Sequence, residues 1–281
     1  MIPASFDYFR PQTLDEAVGL LSQHGEEAKI LAGGHSLIPA MKLRLAQPKV
    51  VIDIGRISDL DYIREQDGKI AIGALATHHA IEVSGLLRAQ CPLLPEVAPM
   101  IGDVQVRNRG TIGGSLVHAD PAADWPAAIL ALEAELEVVG PDGPRQISAK
   151  KFFVDLFQTA LKPNEILREI RVPITPRSVA YVKFAQRASG FAIAGVAVIV
   201  QASSKTARVG VTGIAAKPYR ASAVEKKLEG QTLTAELIAA AAKKAANRID
   251  PLNDIHASAE YRAHLAKVNT QRALQLAASR I

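Results

Sequence analysis

The tetrapeptide Pro173-Ile174-Thr175-Pro176 constrains this chain more than any other stretch. Each proline lacks the N–H that a helix interior or a central strand must donate, and each ring fixes its own φ. Two prolines this close exclude both kinds of element and force a break. At 281 residues the chain exceeds the usual size of one domain, so two domains with separate cores are expected. The boundary falls at the tetrapeptide: residues 1–174 form one domain, with subdomains at about 1–57 and 58–174, and residues 178–281 form the other.

In the first domain, Thr13-Leu14-Asp15-Glu16 reads as a capping box, followed by Leu14, Ala17, Val18 and Leu21 at helical spacing and closed by Gly25. Strands at 29–32 and 50–54 follow, separated by Gly33-Gly34 and a loop, which makes a βαβ-like unit. Strands at 69–73, 135–139 and 166–172 then alternate with helices near 92–101 and 126–132, the pattern of a mixed α+β subdomain. Beyond the break, 180–186, 192–201 and 208–214 predict a three-stranded antiparallel sheet whose middle strand, nearly all apolar, is buried. Helices at 221–228, 235–248 and 259–278 are expected to cover one face of it.

Composition removes several function classes. Cys91 is the only cysteine, which excludes an internal disulfide and a cysteine-ligated iron–sulfur cluster, since such clusters need about four thiolates. It lies beside Pro92 in an apolar context, as a core residue does, and no Gly-x-Ser-x-Gly elbow is present, so hydrolase and thiol-enzyme readings lack support. The net charge of +5 is spread over the chain rather than gathered with aromatics, and no nucleic-acid partner is expected. No stretch approaches the roughly 20 apolar residues of a membrane span. The N-terminal residues show no basic region leading into an apolar run, so the cytoplasm is the expected location. His35, His78, His79 and His118 lie at none of the His-x-x-x-His or His-Glu-x-x-His spacings, and no metal site is expected.

Two glycine segments carry the positive signal. In Leu31-Ala32-Gly33-Gly34-His35-Ser36-Leu37-Ile38 a strand runs into paired glycines, which let backbone N–H groups approach a phosphate, and Ser36 adds a hydroxyl. A tight turn that only reverses the chain explains the segment equally well. Arg107-Asn108-Arg109-Gly110-Thr111-Ile112-Gly113-Gly114-Ser115 repeats the theme before a helix. Neither fits Gly-x-Gly-x-x-Gly or the Walker pattern, but two such loops could grip a diphosphate from two sides. The arginines, Arg109 in particular, read as solvated charge. Downstream, Asp124 before Trp125-Pro126 reads as a helix N-cap, and Asp120 could cap as well. Lys183 falls in a strand, where a solvated lysine is the ordinary reading.

Taken in order, the two glycine segments and His118-Ala119-Asp120-Pro121 resemble the medium subunits of the carbon monoxide dehydrogenase family, which belongs to the xanthine dehydrogenase-like molybdenum hydroxylases. The resemblance extends over nearly the whole chain, through Phe6-Asp7-Tyr8, Asn164-Glu165-Ile166-Leu167 and 258–265.

The resemblance implies a two-subdomain FAD-binding fold of the vanillyl-alcohol oxidase type plus a smaller C-terminal domain. It implies that Leu31, Ala32, Gly33, Gly34, His35, Ser36, Leu37 and Ile38 hold the FAD diphosphate, and that Thr111, Ile112, Gly113, Gly114 and Ser115 form the second wall of the cleft. Ile101 would pack near the cofactor, Asp124 would contact its polar portion, and Leu167 and Lys183 would approach the flavin from the far side. Phe191 falls where relatives often place a tyrosine, and would shield the ring.

It implies partners too: a large subunit with the molybdenum cofactor, a small subunit with 2Fe-2S clusters, a dimer of such heterotrimers, and an acceptor such as NAD or a quinone-linked carrier. No catalytic acid, base or nucleophile is expected on this chain. Two rival readings are a stand-alone flavin oxidase of the same fold and a non-catalytic assembly protein that has lost the cofactor.

Overall fold

The computed structural model describes all 281 residues. The N-terminal unit is a parallel sheet with Val50–Asp53 at its centre, flanked by Asp7–Phe9 and Ala28–Leu31. Asp7–Phe9 is too short to show a period in the sequence; it exists as a strand because Val50–Asp53 gives it a ladder. Helix Leu14–His24 buries Ala17, Val18 and Leu21 against the sheet. The Thr13 hydroxyl accepts the N–H of Glu16 as a cap should. The reciprocal bond is displaced by one residue, because the Glu16 carboxylate accepts from Gln12 N–H instead of Thr13 N–H. The loop expected between the second and third strands contains a helix of its own, Leu37–Lys42.

The second unit is an antiparallel sheet in the order Ile63–Gln66, Lys69–Gly73, Ile166–Pro173, Glu135–Gly140, Gly143–Ser148. Its core includes Ile70, Ile72, Leu136 and Ile170 from the sheet, packed with Trp125 and Ile129 from helix Trp125–Ala131. Short helices, His78–Val83, Gly85–Gln90, Leu93–Val97, Val104–Arg109 and Ile112–His118, fill the connections. Cys91 is buried among them, and burial pushes its thiol up to about 12, so no thiolate forms at neutral pH.

Residues 174–178 lie outside helices and strands, with Thr175 N–H donated to the carbonyl of Gln90. The third sheet follows: Val179–Ala185, Ala192–Gln201, Thr206–Thr212 and Tyr219–Arg220, all antiparallel. The fourth, two-residue strand corrects the three-stranded expectation. On the central strand, Ala197 and Ile199 join the core of the second unit, while Val196, Val198 and Val200 join Leu265, Ala273 and Leu274 of helix Ala259–Ala278. Burial on both faces explains why 192–201 is nearly all apolar.

The helix expected over 235–248 ends early, as Ala235–Ala242. Lys244, Ala245 and Asn247 donate three residues back rather than four, so the chain tightens into turns, and the Tyr219 hydroxyl takes the Ala245 carbonyl. No helix is long and apolar enough to cross a membrane.

Candidate functional site

The first glycine segment leaves strand Ala28–Leu31 and turns into helix Leu37–Lys42. None of the six backbone N–H groups from Ala32 to Leu37 finds an acceptor in the protein; the next, Ile38 N–H, closes the turn on the Gly34 carbonyl at 3.0 Å. Gly34 supplies the bend with a φ of 80°. Ser36 precedes the helix without capping it, which leaves its hydroxyl free as well. Gly33 is required for a different reason, since a methyl added there would overlap the carbonyl oxygen of Arg109 and crowd the Cα of Gly110. The two glycine segments are thus braced on one another, and Ala32 lies alongside Gly114.

The second segment differs from its expected form. Its paired glycines do not precede a helix; they sit inside one, Ile112–His118, with Thr111 as N-cap. Its backbone donors from Ile112 to Ser115 are spent within the protein. Ile112 N–H goes to Ala76 O at 3.0 Å and Gly113 N–H to Ala74 O at 2.9 Å. Gly114 N–H goes to the Thr111 hydroxyl at 3.1 Å, and Ser115 N–H to Thr111 O at 3.0 Å. Thr111 to Ser115 therefore make a wall, not a second anion cradle. Arg109 is exposed, as a solvated charge should be, while Arg107 is tied to Glu82 at 3.0 Å and to the carbonyl of Ile101 at 3.1 Å.

A third group gathers where helix Trp125–Ala131 meets the C-terminal sheet. The carbonyl of Pro121 accepts Gly213 N–H, that of Ala122 accepts Ala192 N–H, and Thr212 Oγ1 reaches those of Pro121 and Ala123. The segment leading to Asp124 is thereby latched to the C-terminal sheet. Asp124 does not cap the helix it precedes. Its backbone is helical, at φ −80° and ψ −42°, and its carboxylate makes no cap bond. Instead Oδ1 accepts from the Tyr181 hydroxyl at 2.5 Å and Oδ2 from Lys183 Nζ at 2.9 Å. Asp120 caps no helix either; its carboxylate accepts Ala122 N–H at 2.8 Å and closes an Asx turn ahead of Asp124.

Lys183 also departs from the solvated reading: its side chain is 1% exposed, and Nζ donates a second bond to the carbonyl of Met100 at 2.7 Å. Burial pushes the Asp124 carboxyl up, with Lys183 and the Tyr181 hydroxyl opposing that shift. Burial, the Asp124 charge and its hydrogen bond all push Tyr181 far above the ordinary phenol value, so it stays a donor at any relevant pH.

The structure therefore brings the expected residues together in two groups. Residues 31–38 stand against Thr111 to Ser115, and Ile101, Asp124, Lys183 and Phe191 sit along the seam between the second and third sheets. At that seam Ile101 follows Met100, and Phe191 precedes the Ala192 that docks on Ala122. Leu167 is buried beside a bulge in strand Ile166–Pro173, whose Arg168 carbonyl accepts from Ala74, the residue that in turn takes Gly113 N–H. His78 links the two groups, with Nδ1 on the Trp125 indole at 3.0 Å and Nε2 against Gly110. Sequence reasoning missed Tyr181, although strand period places it on the face of Lys183 two residues away.

Comparisons with known proteins agree with this architecture. Residues 4–175 match the family described as the FAD binding domain in molybdopterin dehydrogenase, and residues 179–277 match the CO dehydrogenase flavoprotein C-terminal domain. The chain belongs to the family of FAD-binding medium subunits of the carbon monoxide and xanthine dehydrogenase-like molybdenum hydroxylases. It is 41% identical to the carbon monoxide dehydrogenase medium chain of Hydrogenophaga pseudoflava, covering 100% of this chain and 99% of that one. It is 39% identical to the 6-hydroxypseudooxynicotine dehydrogenase complex subunit alpha of Paenarthrobacter nicotinovorans, over 100% and 97%. Among solved structures, the carbon monoxide dehydrogenase of Hydrogenophaga pseudoflava lacking the Mo-pyranopterin moiety superposes with a TM-score of 0.96 at 43% identity, over 100% and 99% of the two chains.

Proposed function

We propose that this chain is the electron-transferring flavoprotein subunit of a heteromeric molybdenum hydroxylase. It takes electrons from an iron–sulfur partner subunit and passes them to an external acceptor such as NAD or a quinone-linked carrier. The observation that carries this reading is the run of six unpaired N–H groups from Ala32 to Leu37. So many free backbone donors in one turn suit an anion with many acceptor oxygens, and a diphosphate is one.

In this reading Leu31 to Ile38 hold the diphosphate of FAD, with Thr111 to Ser115 forming the facing wall. Asp124, Lys183 and Ile101 meet the flavin end from the seam, joined by Phe191 and by Leu167 from the sheet below. Bound FAD supplies a centre that takes single electrons and gives up two, chemistry that none of this chain's side chains possesses. The chain's own work is to bind, orient and shield. The break that follows Pro173 separates the FAD-binding domain, 1–174, from the C-terminal domain, 178–281. A molybdopterin-binding large subunit and a 2Fe-2S small subunit complete a heterotrimer, two of which pair.

Anaerobic spectroscopy of the purified chain and of the assembled complex tests this. The chain should carry FAD that stays oxidised when small alcohols, aldehydes or N-heterocycles are added alone. In the complex, a substrate of the large subunit should bleach it. Direct bleaching without partner subunits would establish a stand-alone oxidase instead, and a colourless chain that cannot be reconstituted with FAD would leave an assembly protein.

A further inference from the structure

The Tyr181 hydroxyl serves a single side chain of the seam and nothing else. It donates to Asp124 Oδ1 at 2.5 Å, and the ring is buried. Space for that hydroxyl comes from Gly195, which faces Lys183 on the neighbouring strand. A methyl added to Gly195 would overlap the Tyr181 oxygen and crowd Thr212. Gly195 is the one glycine in Ala192–Gln201, a strand otherwise filled with alanine, valine and isoleucine up to its last residue. A side chain omitted from so well packed an element marks a place where another group must enter.

The other oxygen of the carboxylate is engaged by Lys183. Of its three donors, one goes to Asp124 Oδ2 and one to Met100 O, so one remains. An aspartate before Trp125-Pro126 would ordinarily turn back to cap its own helix. Here the buried phenol and the ammonium hold it turned toward the C-terminal sheet.

We infer that Tyr181, seated in the notch left by Gly195, is a positioning residue that fixes Asp124 and Lys183 in the orientation from which they meet the flavin. The inference rests on the flavin reading given above. Tyr181 itself touches no cofactor in this account; it acts through Asp124. Because the phenol keeps its proton, the carboxylate is held in place before the cofactor arrives, and the site does not have to order these side chains on binding.

The test uses the purified complex with all its subunits, comparing wild type with Tyr181→Phe, Gly195→Ala and Asp124→Asn. The readouts are the FAD dissociation constant and the flavin midpoint potential, with circular dichroism and subunit assembly as controls of folding. Tyr181→Phe should weaken FAD binding about tenfold, the scale of one lost charge-assisted hydrogen bond, and shift the potential in the same direction as Asp124→Asn. Gly195→Ala, which keeps the phenol but displaces it, should reproduce the shift. A Tyr181→Phe complex with wild-type affinity and potential, beside an Asp124→Asn complex altered in both, overturns the positioning role while leaving the flavin site intact. If Asp124→Asn also changes neither, the flavin reading of this seam itself falls.

Discussion

The indole N–H of Trp125 donates to Nδ1 of His78 across 3.0 Å. With Nδ1 an acceptor, the single proton of a neutral imidazole must sit on Nε2, which abuts Gly110. One side chain thus joins the helix that follows Asp124 to the segment on which Gly33 is braced. The bond survives only while the imidazole is neutral, because a protonated Nδ1 has no lone pair to offer.

Burial lowers the His78 pKa from its ordinary 6.5 to about 4, with help from the nearby charges of His35 and Arg107. The unfolded chain therefore takes up this proton before the folded one does. Stability from this residue is complete above pH 6.5 and drains away as the pH falls toward 4. His78→Gln has nothing to titrate. It should be less stable than wild type at neutral pH, yet lose less between pH 6.5 and 4, by on the order of 3 kcal/mol. Denaturant unfolding of both proteins across that range measures the difference, and parallel curves would remove His78 as the cause.

The Asp124–Lys183 pair gives a second prediction. The Lys183 side chain is 1% exposed and that of Asp124 5%, so removing one partner strands the other charge. Asp124→Asn should cost about 3–5 kcal/mol. Lys183→Met should cost less, because a carboxyl whose pKa burial already raises can take a proton and keep its bond to Tyr181. The double variant should cost less than the two single costs combined. A double-mutant cycle by chemical denaturation reads the coupling, and additivity within about 0.5 kcal/mol would mean that the pair is not coupled.

What the sequence disclosed and what it withheld divide along the range of the interactions. Lys69–Gly73, Ala192–Gln201 and Ala259–Ala278 were legible because their own apolar spacing specifies them. Gly143–Ser148, written Gly-Pro-Arg-Gln-Ile-Ser, has no such pattern and becomes a strand by pairing with Glu135–Gly140. The cradle at 32–37 was legible as glycines, but its free donors were not, since they depend on what the rest of the chain does not offer. Asp124 went wrong for the opposite reason. Its neighbours in sequence favour a cap, while partners 57 and 59 residues away in the chain take its carboxylate.

Two glycines separate backbone bracing from helix propensity. Gly33→Ala must push the first segment off the Arg109 carbonyl, so it should weaken FAD binding by about tenfold or more, the effect of disturbing a single strong contact. Gly19→Ala lies on the exposed side of Leu14–His24 with nothing within 4 Å of the added methyl. It should leave FAD binding alone and raise stability by about 1 kcal/mol. Flavin titrations of the apo-complex, paired with thermal unfolding, check both. Equal affinity in the two variants would detach Gly33 from the cofactor cleft.

Phe191 is 51% exposed, an unusual place for an aromatic whose backbone is pinned on both sides. Gln186 N–H donates to its carbonyl, Ser189 Oγ accepts its N–H at 3.3 Å, and the next residue docks on Ala122. A ring held so firmly yet packed so little contributes almost nothing to the core, so Phe191→Ala should change stability by no more than about 0.5 kcal/mol. Its fixed position at the seam instead suits it to cover a bound ring, where loss of the aromatic face would alter the polarity around the flavin. Phe191→Ala should therefore shift the visible flavin absorption and the midpoint potential while the unfolding midpoint stays put. If absorption and potential match wild type, the ring does not cover the flavin, and its exposure serves some surface other than the cofactor cleft.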